Sequence, residues 1–91
     1  MRVARRMVVA GRVQGVGFRD FAQRAAVREG VTGWAQNLPD GRVEVLMVGD
    51  EESVTRVERA IRSGPPASRI ERVDVEPEDA PAALKGFGIR R

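Results

Sequence analysis

The chain has 91 residues, 42% hydrophobic and 32% charged, with 16 Lys plus Arg against 13 Asp plus Glu and a formal net charge of +3. That length suits one small domain over residues 1–91, and the balance excludes a disordered or collagen-like chain. Cys and His are both absent, which removes disulfide frameworks, thiolate nucleophiles, Ser-His-Asp triads and Cys- or His-ligated metals.

Along residues 2–10, Val3, Met7 and Val9 fall on one side of a two-residue period, which predicts a strand. The apolar run within it, Met7 to Ala10, is far shorter than the ~20 residues a bilayer needs. It is also shorter than the ~7–15-residue apolar stretch of a signal peptide. A cytoplasmic location is the expectation.

Residues 11–17 hold Gly11, Gly15 and Gly17 and predict a loop. From 18 to 29, Phe18, Phe21 or Ala22, and Ala25 keep one apolar face at helical spacing, and Gly30 is placed to stop the helix. Residues 31–38 predict a second strand. Pro39-Asp40-Gly41 is a turn, and Val43, Val45 and Met47 alternate along the strand that returns over 42–48.

Asp50 is positioned to cap a second helix, with Glu51 and Glu52 in its first turn and Val54, Val57 and Ile61 as its stripe. Gly64-Pro65-Pro66 ends it. Val73 and Val75 alternate in a strand over 69–76, residues 77–85 form a loop, and Phe87 and Ile89 mark a short last strand. The order β-α-β-β-α-β plus a terminal strand predicts an α+β, ferredoxin-like split β-α-β sandwich. Two helices would lie on one face of an antiparallel sheet, with a short C-terminal strand.

Two segments carry the functional signal. In the first, Gly11 to Arg19, a glycine loop joins a strand to a helix. Such a loop turns amides to one side, and the helix N-terminus adds partial positive charge. The Arg19 guanidinium fits a phosphate or carboxylate. Together they suit a small dianion; a tight connection with an exposed arginine fits the local pattern equally. No Gly-Lys-Ser/Thr follows, and Asp20 stands where a dinucleotide fingerprint needs its third glycine.

In the second segment, Gly33 to Val43, Asn37 ends a strand before a turn. Its amide donates and accepts together, so it can orient a water, although asparagines more often bond their own turn. Trp34 reads first as packing. Asp20 reads as a solvated first-turn acid rather than a nucleophile. Gln14 fits either a loop brace or a substrate contact. The basic termini, Arg2, Arg5, Arg6, Arg90 and Arg91, read as solvated surface, because no basic motif with interleaved aromatics accompanies them.

These segments closely resemble the acylphosphatases. The first signature is met as Val9-x-Gly11-x-Val13-Gln14-Gly15-Val16-x-Phe18-Arg19. The second is met as Gly33-Trp34-Ala35-Gln36-Asn37-x-x-x-Gly41-x-Val43, followed by Gly49. The closing Gly86-Phe87-Gly88-Ile89-Arg90 is also similar to the family, so the resemblance spans essentially the whole chain. Two positions depart from many relatives and bear on substrate preference. Asp20 stands where an aromatic or small residue is frequent, and Gln36 where Lys or Arg is frequent.

The resemblance implies hydrolysis of the carboxyl–phosphate anhydride. Arg19, with the amides of Gly15, Val16, Gly17, Phe18 and Arg19, would bind the phosphoryl group, and Asn37 would position the attacking water. It implies no metal and no organic cofactor. The expected partner is a small acyl phosphate, with no membrane or nucleic acid and a monomeric state. The composition agrees: a carboxylate leaving group, with conjugate-acid pKa ~4, departs without a general acid, whereas an alkoxide normally needs an acid or a metal. The alternative is a non-catalytic anion- or RNA-binding module of the same fold, for which salt-sensitive RNA binding without turnover would be the sign.

Overall fold

A computed structural model of the chain describes residues 1–81 and 84–90. The elements run β1 (Arg2–Arg12), α1 (Phe18–Glu29), β2 (Thr32–Asn37), β3 (Val43–Asp50), α2 (Glu51–Ser63), β4 (Arg69–Glu78) and β5 (Phe87–Arg90). The five strands form one sheet in the order β4-β1-β3-β2-β5. The predicted split β-α-β order is present, and β1 to β4 pair antiparallel. The terminal strand departs from that pattern: β5 lies parallel to β2, with Gly33 opposite Phe87 and Gln36 opposite Arg90.

Alternation explains which face is covered. Met7 and Val9 of β1, and Val43, Val45 and Met47 of β3, are fully buried. They share one core with Phe18, Ala22 and Ala25 of α1 and with Val54, Val57 and Ile61 of α2. Both helices therefore cover one face. Burying a side chain the size of Ile61 or Phe18 contributes about 1.5–3 kcal/mol. The residues between them on the strands, Ala4, Leu46 and Val48, form a smaller cluster on the opposite face, joined by Trp34. Glu44 is buried on that face too, held by Arg6 and by Gln36, whose Nε2 donates to it at 2.5 Å.

Strand β1 runs two residues past its predicted end. The pairing with β4 shifts between Ala10 and Gly11, a bulge that bends the strand toward the following loop. Strand β4 likewise passes through Pro77, which an edge strand tolerates because it needs no inward N–H there.

Asp50 occupies the cap position of α2 but makes no side-chain cap hydrogen bond. Its carboxylate instead takes the Met1 ammonium at 3.2 Å, while the Met1 carbonyl accepts from the Glu51 amide at 2.8 Å. The chain's first residue thus supplies the cap that the sequence assigns to Asp50.

Candidate active site

The loop between β1 and α1 is shaped by its glycines. Gly15 and Gly17 adopt left-handed φ values of 74° and 76°, which side chains other than glycine reach only with strain. Gly17 is the cap residue of α1 and offers no side-chain oxygen to the first turn. Its carbonyl accepts from the Phe21 amide at 3.0 Å. Among the described residues, the amides of Gly15 to Arg19 find no protein acceptor. They remain available to an anion, reinforced by the helix dipole.

Arg19 lies in the first turn of α1. Its Nη1 donates to the Arg90 carbonyl of β5 at 2.8 Å. One turn later, Gln23 Nε2 donates to the Phe87 carbonyl at 2.7 Å. Two side chains of one helix therefore hold β5 alongside, and the strand in return fixes the direction of the Arg19 guanidinium.

Asn37 ends β2, opposite Val43. The turn that follows closes without it. Leu38 N donates to the Arg42 carbonyl at 2.8 Å and Gly41 N to the Leu38 carbonyl at 3.1 Å. Asp40 accepts from the Arg42 amide at 3.1 Å and from its Nε at 2.8 Å. The Arg42 amide is the main cause holding the Asp40 carboxyl below its ordinary value, with the guanidinium adding to it. Asp40, not Asn37, does the local turn bonding, and the Asn37 amide is left to line a pocket.

Gln14 connects the two segments. Its Nε2 donates to the Leu38 carbonyl at 2.8 Å and the Arg42 carbonyl at 3.0 Å. The anion loop is thereby pinned to the β2–β3 hairpin, and Gln14 is a brace rather than a group facing the pocket.

The result is a pocket of about 180 Å³ lined by Gly15, Gly17, Phe18, Arg19 and Asn37, together with Val13, Asp20 and Ile89. Residues 18 positions apart in sequence, Arg19 and Asn37, share one wall-to-wall space. Of the expected phosphoryl-binding residues only Val16 does not line it; its side chain packs partly onto the core.

The acylphosphatase family model matches residues 5–89. The chain belongs to the acylphosphatase family. It is a hydrolase acting on acyl phosphates. It is 48% identical to the acylphosphatase of Rubrobacter xylanophilus, over 93% of this chain and 77% of that protein. It is 48% identical to the acylphosphatase of Anaeromyxobacter dehalogenans, over 98% and 96% of the two chains. The crystal structure of acylphosphatase from Bacillus subtilis superposes with a TM-score of 0.93 at 36% identity, over 98% of this chain and 99% of that one. Among the described residues no helix is long and apolar enough to cross a membrane.

Two contributors to this pocket carry no signal in the sequence. The Arg90 backbone carbonyl holds Arg19 from 71 positions away, and a carbonyl carries no residue-type signal. Ile89 appears in sequence only as a strand residue, and the parallel placement of β5 turns it into pocket wall. Trp34 is packing, as expected: it sits on the other face of the sheet, with the Arg90 guanidinium 4.3 Å from its ring centroid. Asp20 lines the pocket while paired with Arg24 at 3.0 Å across one helical turn. Exposed and ion-paired, it fits the solvated acid expected.

Proposed function

We propose that the pocket hydrolyses acyl phosphates without a metal, with Arg19 and Asn37 as the catalytic residues. The observation that carries this is the joint lining of one pocket by the unpaired loop amides, the Arg19 guanidinium and the Asn37 amide.

The phosphoryl oxygens accept hydrogen bonds from the amides of Gly15, Val16, Gly17, Phe18 and Arg19 and from the Arg19 fork. In a loose phosphoryl-transfer transition state the charge stays on those oxygens, so fixed donors aimed at them stabilise it. The Asn37 amide orients a water for in-line attack. The water oxygen bonds to phosphorus as the bond from phosphorus to the acyl oxygen breaks. Its electron pair leaves with the carboxylate, and one water proton passes to a phosphoryl oxygen. An acyl phosphate dianion and water thus give one carboxylate and one dihydrogen phosphate, with charge and atoms balanced.

The donor set supports a metal-free route. Among the described residues the pocket lining carries one carboxylate, Asp20, and the chain has no His or Cys to complete a ligand set. The departing carboxylate, with conjugate-acid pKa ~4, needs no proton donor.

The test is phosphate release from benzoyl phosphate in EDTA, beside an alkyl phosphate control. Arg19→Ala should lower both substrate affinity and turnover. Asn37→Ala should lower kcat by about 10²–10³ with KM largely kept, the typical effect of losing one such stabilising group. Near-normal turnover by Asn37→Ala would rule out the water-positioning role, and loss of wild-type activity in EDTA would rule out the metal-free route.

A further inference from the structure

On the reading of the site given above, the loop amides and Arg19 take the phosphoryl group. The lining that remains for the acyl group is Val13, Ile89 and Asp20. Val13 is buried, and Ile89 is a large apolar side chain left 39% exposed. Among the described residues, Asp20 is the only anion in the lining and Arg19 the only cation. Arg19 is already committed, to the phosphoryl oxygens and to the Arg90 carbonyl. The Arg90 side chain is turned to the other face of the sheet, over Trp34.

We propose that Asp20 makes the site select acyl phosphates whose acyl group is uncharged, with an alkyl or aryl surface, over those whose acyl group carries a second negative charge. A neutral acyl group meets apolar contact at the exposed Ile89 side chain. A second anionic group meets the Asp20 carboxylate and finds no free cation among the described lining residues. Arg24 offsets the Asp20 charge through its 3.0 Å ion pair. That offset is incomplete, because Arg24 lies one turn farther along α1, outside the lining, with its side chain 76% exposed.

The effect is electrostatic, so it has a sign for each partner and a salt dependence. Two like charges about 8 Å apart at a dielectric intermediate between protein surface and water change kcat/KM by about five-fold. That repulsion weakens once the Debye length falls below the separation, above roughly 0.15 M salt, and is largely screened at about 0.5 M.

The experiment compares butyryl phosphate with succinyl phosphate, which match in carbon count and differ by one terminal carboxylate. The quantity read is the ratio of kcat/KM for butyryl over succinyl phosphate, at about 0.02 M and 0.5 M ionic strength. Any effect of a variant on the shared phosphoryl end, or of intrinsic reactivity, cancels when the ratio is compared between variants. Asp20→Asn should lower the ratio about five-fold at low salt. Arg24→Ala, which removes the offsetting charge, should raise it about two- to three-fold. High salt should bring the wild type and both variants together. A ratio unchanged by Asp20→Asn at low salt, or lowered by Arg24→Ala, overturns the role of Asp20 while leaving the hydrolase intact. No turnover of butyryl phosphate by folded wild type overturns the underlying reading of the site.

Discussion

Gln14 is the position at which the structure makes its most specific demand. Replacing it with Ala removes two hydrogen bonds, to the Leu38 and Arg42 carbonyls, that tie the anion loop to the hairpin bearing Asn37. Each carbonyl keeps another partner: Leu38 O still accepts from Gly41 N, and Arg42 O from Leu38 N. The loss is therefore not that of a buried unsatisfied group, and each bond falls at the low end of its usual range, about 0.5–1 kcal/mol. Together they are worth about 1–2 kcal/mol, or a Tm lower by roughly 4–16 °C for a domain of this size.

The catalytic effect should be larger than the stability effect. Without the brace, the loop amides and the Asn37 amide no longer hold a fixed separation, and a misplacement of about 1 Å can reduce the rate ~10²-fold. Phosphate release from benzoyl phosphate, measured well below Tm, should show kcat falling about 10- to 100-fold. Competitive inhibition by inorganic phosphate, which reports the loop alone, should change by less. Gln14→Glu should be worse than Ala, because a carboxylate there faces two carbonyl oxygens. Wild-type kcat in Gln14→Ala, with or without a drop in Tm, would refute the bracing argument.

Other consequences follow from the same geometry. Gly33→Ala should destabilise severely, because a Cβ there would run into the Leu46 carbonyl at a left-handed φ of 143°; thermal melting reads it, and a Tm within a few degrees of wild type would contradict the close approach. Ile61→Ala empties a fully buried position in the α2 stripe and should lower urea-unfolding free energy by about 2–5 kcal/mol, with kcat retained at low temperature. The Asp50 carboxyl is held below its ordinary value, chiefly by the hydrogen bond from the Met1 ammonium. A depressed folded value means that this stabilisation is present above the unfolded value of ~3.9 and is lost as pH falls through the folded one. The urea midpoint of Asp50→Asn should therefore fall less steeply than that of wild type below about pH 4, and parallel acid limbs would show that the pair contributes nothing.

The sequence by itself determined the elements and pointed to the residues of the proposed site. Periodicity is local information: a Val54, Val57, Ile61 stripe gives α2 one face to bury, and Val43, Val45 and Met47 mark the helix-covered face of β3, whose other face also buries Glu44, Leu46 and Val48. Glycines at 15 and 17 similarly announce a backbone that turns its amides outward, while it is the resemblance to two long family signatures that singled out Arg19 and Asn37.

What the tertiary structure decided were contacts between segments far apart. Whether Gln14 faces a ligand or braces a hairpin depends on where the Leu38 and Arg42 carbonyls come to rest. Asp50 fits a cap by sequence, yet the Met1 ammonium and carbonyl reach that helix end first, and chain-end placement has no periodic signal. The same holds for β5: its residues predict a strand, but only packing against α1 and β2 sets it parallel. That placement delivers the Arg90 carbonyl to Arg19 and Ile89 to the pocket wall. Local patterns are fixed by side-chain chemistry over a few residues, whereas these partners are fixed by the closing of the sheet.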